Sequence, residues 1–209
     1  MRPELVKGMS KVCDNLVHRG PLMKAWIAGA LSISLAAGSA LGAAPATEPV
    51  DATLRTSAGK EVQLSKWRGK PVILFYEDKD STKLNSTLKK ELFARGQERG
   101  ILDAAWVLAV ANLQNFDFFP ARQIALSFVR DEEKKVGVPI LVDMDGALGK
   151  APWKLPVKTS NIVLLDSEGA LVYRHSGRMK PDELTTFFAV LSRLVGVDLN
   201  APAPSEPSP

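Results

Sequence analysis

Between Asp51 and Val197 the apolar pattern switches repeatedly between short strand-like runs and helix-like spacing, and this alternation commits the chain to an α/β domain. Thr53 to Arg55 and Glu61 to Leu64 flank Ser57-Ala58-Gly59-Lys60, which predicts a short opening hairpin turned at glycine. Pro71 to Tyr76 is a continuous, β-branched apolar run of the kind that forms a buried central strand. Leu84, Leu88 and Leu92 at four-residue spacing predict a helix over Ser81 to Arg95, stopped by Gly96 and Gly100. Ala105 to Leu113 reads as a second strand. The next helix begins near Pro120, with Ile124, Phe128 and Val129 as its inner face, and ends at the charged run Asp131 to Lys135 and Gly137. Ile140 to Val142 is a third strand, closed by the turn residues Asp143-Met144-Asp145-Gly146. Asn161 to Leu165 and Ala170 to Arg174 form a hairpin around Asp166-Ser167-Glu168-Gly169. Pro181, Asp182 and Glu183 suit the start of a last helix presenting Leu184, Phe187, Phe188, Leu191 and Leu194.

The two ends do not belong to that pattern. Ala25 to Ala46 is almost wholly apolar and small, follows Arg19 and Lys24, and ends in Ala43-Ala44-Pro45-Ala46, the arrangement of a secretory signal. The expected organisation is a signal peptide over 1–43, a linker over 44–50, the α/β domain over 51–197 and a proline-rich tail over 198–209. Met23-Lys24 would by itself begin a compact signal, and the alternative to cleavage is an uncleaved membrane anchor. Export places the domain in the periplasm. Removing residues 1–43 takes five of the 27 basic and two of the 23 acidic side chains, so the net charge falls from +4 to +1. A nearly neutral domain with interspersed signs lacks the positive field of a nucleic-acid binder.

The single cysteine, Cys13, precedes the apolar run, so the domain itself has no thiol and can form no disulfide. With no cysteine and one histidine, His175, no metal site or other cofactor is expected. His175, at the end of a predicted strand, reads as an exposed surface residue.

Gly69-Lys70-Pro71-Val72-Ile73-Leu74, Pro139-Ile140-Leu141-Val142-Asp143 with Gly146, and Asn161-Ile162-Val163-Leu164-Leu165-Asp166 with Gly169 together resemble the thioredoxin superfamily, especially its peroxiredoxin and membrane-tethered thiol reductase branches. Val142 to Leu148, Trp153, Ser160 to Asp166 and Asp80-Ser81-Thr82-Lys83 resemble more narrowly the YtfJ family of exported thioredoxin-like proteins. The resemblance spans roughly Asp51 to Leu194. It implies a thioredoxin-like three-layer α/β/α sandwich with a mixed central sheet and an N-terminal β-hairpin.

The resemblance also locates a site. In redox-active relatives a Cys-x-x-Cys pair follows the central strand, where a thiolate gains from a helix N-terminus. The aligned attacking position here is Ser81 and the resolving position is Leu84; the relatives' cis proline aligns with Ser160, where a trans peptide is expected. Neither serine nor leucine exchanges disulfides, and a serine nucleophile needs an adjacent base. The residues themselves give Ser81, or Asp80, a plainer role as cap of the first helix. Glu77, Asp78 and Asp80 form the most acidic spot nearby, read as a solvated loop paired with Lys79 and Lys83. Phe116, Phe118 and Phe119 fall in one loop, either as the underside of the following helix or as a partner-binding patch. The functional expectation is a non-enzymatic module of the cell envelope that binds a protein or peptide through these residues. The alternative is a cysteine-independent catalyst of the oxidoreductase family.

Overall fold

The structure is a computed structural model that describes residues 48–199 apart from 117 and 138. The expected signal peptide and most of the tail lie outside the described residues. In chain order the elements are β1 (Thr53–Thr56), β2 (Glu61–Gln63), β3 (Val72–Glu77), α1 (Ser86–Arg99), the single turn α2 (Ile101–Ala104), β4 (Trp106–Asn112), α3 (Ala121–Val136), β5 (Ile140–Asp143), β6 (Asn161–Leu165), β7 (Leu171–Ser176) and α4 (Pro181–Val195). Short 3-10 turns cover Leu64–Trp67, Gln114–Phe116 and Ala147–Gly149.

The strands form one mixed sheet in the order β2-β1-β5-β4-β3-β6-β7. Every residue of β3 is buried, as its unbroken apolar run requires. It runs parallel to β4 and antiparallel to β6, with Phe75 opposite both Ala109 and Ile162. The β6–β7 hairpin turns at Gly169, whose φ of +89° is open to glycine and strained for other residues. Arg68 leaves no free space there, its Nε lying 3.0 Å from where a Cβ would sit.

Strand pleating divides the core in two. One face carries Ile73, Phe75, Ile162 and Leu164 against Leu88 and Leu92 of α1 and Phe187, Phe188 and Leu191 of α4. On the same face a separate cluster joins Val142 of β5 to Ala125 and Val129 of α3. The opposite face carries Leu54, Leu74, Tyr76, Val110 and Val163, covered by the loop residues Leu148, Trp153 and Leu155. Helices, sheet and this loop layer are the three layers. Each fully buried leucine or phenylalanine contributes about 1.5–3 kcal/mol.

Three expectations need correction. The first long helix starts at Ser86 rather than Ser81, because residues 79–85 form successive turns. It passes through Gly96, which is buried, and ends at Gly100 in the left-handed conformation. In α3 the buried stripe is Ala125 and Val129, whereas Ile124 and Phe128 are 52% and 58% exposed. Small residues therefore let α3 approach the sheet, and the bulky ones are displaced to its flank. Beyond Val197 the chain still contributes to the core: Leu199 is buried with the α1–α4 cluster, and its carbonyl accepts a 2.8 Å bond from Arg95 Nη1.

Candidate functional site

The C-terminal end of β3 leads into the stretch where the resemblance expects a site, and the structure packs it with hydrogen-bonded side chains. Glu77 ends β3 on the helical face. Its Oε1 accepts a 2.6 Å bond from Ser160 Oγ, and its Oε2 pairs at 2.6 Å with Lys89 Nζ of α1. Ser160 Oγ in turn accepts from Asn85 Nδ2 at 3.0 Å. Asn85 Nδ2 also donates to the Gly177 carbonyl at 2.7 Å, and Asn85 Oδ1 accepts from the Met179 amide at 2.8 Å. Glu77, Asn85 and Ser160 are all buried, so satisfying their polar atoms internally is what makes the arrangement tolerable. Lys89 adds a bond to the Thr82 carbonyl and lies 5.4 Å from the Phe75 ring centroid.

Asn85 precedes α1 but does not cap it: no side-chain cap bond is made, because its Oδ1, the atom a cap would use, accepts from the Met179 amide in the loop after β7. Ser81 corrects the cap expectation as well. Its hydroxyl accepts from the Asp78 amide at 3.0 Å, while its own amide donates to Asp78 Oδ1 at 3.0 Å, a reciprocal pair that closes the turn before the helix. Ser81 is 2% exposed and has no base beside its hydroxyl among these bonds. Leu84 is half-buried and offers only apolar surface. The peptide before Ser160 is trans.

The acidic spot splits. Glu77 belongs to the buried network, Asp78 to the Ser81 turn, and Asp80 alone is exposed. The solvated-loop expectation therefore fails for Glu77, which points inward because β3 extends one residue further than the apolar run. Lys79 stands over the Phe128 ring, 5.3 Å from its centroid.

The phenylalanine loop is surface. Phe116, Phe118 and Phe119 are 38%, 63% and 86% exposed, so they are not the underside of α3, whose apolar contacts are made by Ala125 and Val129. His175 is half-buried rather than exposed: it faces α4 with Nδ1 3.9 Å from Glu183 Oε1, and its Nε2 is buried without a hydrogen-bond partner. On the opposite face Asp143 is buried and accepts bonds from Tyr76 Oη and from the Ala147 and Leu148 amides. It is a turn anchor. Burial, reinforced by Asp143, pushes the Tyr76 hydroxyl far above the usual tyrosine range. No group of three or more metal-ligating side chains converges among the described residues, and no helix there is long and apolar enough to cross a membrane.

No family model and no curated protein matches this chain. Solved structures do. A Chlorobium tepidum protein assigned as the thiol:disulfide interchange protein DsbE matches with a TM-score of 0.51 at 16% identity, over 71% of this chain and 96% of its own. A Sinorhizobium meliloti 1021 protein of unassigned function matches with a TM-score of 0.50 at 20% identity, over 77% and 90%. At these identities the likeness establishes the fold, and the fold is thioredoxin-like. The sequence signals for the buried network were weak, since Asn85 and Lys89 are ordinary helix-boundary and helix-surface residues until the fold brings Ser160 to them.

Proposed function

We propose that this chain is a cysteine-free thioredoxin-fold module of the cell envelope that binds a protein or peptide and performs no redox chemistry. The observation that carries the reading is that the aligned positions are closed: Ser81 is tied into its turn with Asp78, and Ser160, at the aligned cis-proline position, is held in the Glu77–Ser160–Asn85–Lys89 network. Every group there is already paired, and Ser160 is fully buried. The short Ser160–Glu77 bond has the form of a nucleophile and its base, but no substrate reaches a hydroxyl with no exposed surface. The exposed Phe116, Phe118 and Phe119 of the loop after β4 supply what a binding surface needs, namely apolar anchors. The narrower resemblance to the YtfJ family and the secretory-type N-terminus support the envelope part of the reading.

The test is capture of crosslinked partners from envelope extract with the full chain. Binding is expected to fall on Phe118→Ala and to persist on Ser81→Ala. Failure to recover a partner, or disulfide or peroxide turnover by the Cys13→Ser chain, overturns the proposal.

A further inference from the structure

The nearly even charge of the domain hides a local imbalance. Residues 146–165 carry three lysines and no acidic residue, and residues 169–181 carry Arg174, Arg178 and Lys180 and no acidic residue. The fold lays these two stretches side by side. Strand β6 pairs antiparallel with β7, Val163 opposite Arg174, and the Gly177 amide donates to the Ser160 carbonyl at 2.9 Å. Val163 belongs to the core on the face away from the helices, so its cross-strand partner Arg174 stands on that face too. Arg174 Nη1 donates to the Trp153 carbonyl at 2.9 Å, which brings Lys154 against β7. Lys158 closes the same loop, just before Ser160.

Lys154, Lys158 and Arg174 are exposed, and none has an acidic side chain within ion-pair distance among the described residues. Carboxylates on the neighbouring elements are committed. Asp166 accepts from the Glu168 and Ala170 amides in the turn at the far end of the hairpin. Asp51, whose carbonyl accepts from Trp153 Nε1, turns its carboxylate to the Ala52 and Ser65 amides. Glu183 accepts from the Lys180 amide and faces His175. Asp145 and Glu168 lie outside both stretches.

The loop that carries the two lysines is fixed, and at a conformational cost. Lys154 and Lys158 have φ of +49° and +58° and are the only non-glycine residues in the left-handed region among the described residues. Glycine adopts that conformation more readily, so the lysine at each position serves something other than the local backbone. Around them the Lys154 amide donates to the Lys150 carbonyl at 2.7 Å and the Leu155 amide to the Leu148 carbonyl at 2.9 Å. The buried Asn161 Nδ2 donates to the Pro156 carbonyl at 2.9 Å. A loop held in this way adds little ordering cost when its charges are used for binding.

Strand β7 also ends the sheet. Its outer edge meets Pro49 at Ala170 and no other strand among the described residues, so the backbone beside Arg174 lies on an open edge. An open edge pairs with an extended polypeptide, whose amides and carbonyls a lipid headgroup does not offer.

We propose that this face takes an extended acidic segment of a partner protein, added as a strand beside β7 with its carboxylates toward Lys154, Lys158 and Arg174. The inference rests on the binding reading above and adds a second surface and the partner's chemistry. Backbone pairing supplies the alignment, and the three cations select glutamate or aspartate over lysine.

The experiment measures fluorescence anisotropy of three labelled synthetic peptides with the full chain. One alternates valine and glutamate, the second has lysine in place of each glutamate, and the third is the glutamate peptide with its backbone nitrogens methylated so that it cannot pair as a strand. The first is expected to bind and the other two not. Lys154→Gly and Lys158→Gly together should weaken binding of the first by about tenfold. Their melting temperature should hold or rise, because glycine relieves the left-handed backbone, whereas lysines that served only the fold would lower it. Added salt should weaken binding of the first peptide. Equal binding of the first and second peptides, or of the first and third, overturns the inference, as does a double variant that binds the first unchanged. So does a chain that binds none of the three, including one that binds phosphatidylglycerol vesicles instead. Capture of an envelope partner that depends on Phe118 but not on Lys154 and Lys158 sinks this inference while leaving the broader function intact.

Discussion

Ser160 Oγ donates to Glu77 Oε1 at 2.6 Å, joining the residue before β6 to the last residue of β3. The contact spans 83 residues of sequence. It holds a buried carboxylate at the end of β3, and Lys89 pairs with that carboxylate. Such a site is stable because it is closed: each acceptor has a donor, and removal of one donor exposes the cost of burial.

Ser160→Ala removes that donor while Asn85 Nδ2 keeps the Gly177 carbonyl. The variant is expected to lose about 1–3 kcal/mol of unfolding free energy, the cost of an unsatisfied buried acceptor. Urea denaturation measures it. Ser160→Thr, which restores a hydroxyl, should recover part of the loss; equal loss in both variants would show that packing, not the hydrogen bond, is at stake.

Asn85→Ala breaks three bonds at once, to Ser160 Oγ, the Gly177 carbonyl and the Met179 amide. The consequence is local as well as global. Hydrogen exchange at the Met179 amide should accelerate more than exchange in β3, because the tie between α1 and the start of α4 is cut while the central sheet stays paired. Uniform acceleration across both would point to general destabilisation instead.

The sheet was legible in the sequence because its signals are local. The β3 run, the glycine turns at Gly59 and Gly169, and the Pro181-Asp182-Glu183 helix start each act within a few residues. The start of α1 was not legible. Ser81 and Asp78 bond each other, a choice open to both residues in a turn or at a cap, and the distant Met179 amide, which donates to Asn85 Oδ1, draws Asn85 away from capping. The inner face of α3 was misjudged for a different reason. Periodicity weights bulky residues, so Ile124 and Phe128 outranked Ala125, whose small side chain is what permits close approach. The candidate site was therefore half visible: its loss of thiols could be read from residue types, but its replacement depends on contacts too distant in sequence to read.

The absence of a helix N-terminus at residue 81 has a chemical consequence. A cysteine introduced there would gain little from the α1 dipole, which begins at Ser86, and would be buried at a site that is 2% exposed. In a Cys13→Ser background, Ser81→Cys should therefore react with iodoacetamide at neutral pH more slowly than a free thiol. Rapid alkylation with a low thiol pKa would mean that the turn retains the electrostatics of a redox site.

Alkaline pH probes the opposite face. The chain has two tyrosines, and both hydroxyls are held above their ordinary value of 10.0. At Tyr76 the main cause is burial, followed by the Asp143 carboxylate that accepts its proton; at Tyr173 burial leads and Glu183 adds to it. A folded-state pKa raised above the unfolded one stabilises the fold fully below the unfolded pKa, because both states are then protonated. Above that value the unfolded chain loses its proton first, so stability falls by about 1.4 kcal/mol per pH unit for each such group until its folded pKa is reached. Unfolding free energy should accordingly be insensitive to these groups at neutral pH and decline above about pH 10. Tyr76→Phe should be less stable at neutral pH, because Asp143 loses a donor, yet show a shallower alkaline decline. Denaturant titrations at neutral pH and above pH 10, with tyrosinate absorbance followed in parallel, measure both effects; an unchanged alkaline slope in Tyr76→Phe would place the titrating group elsewhere.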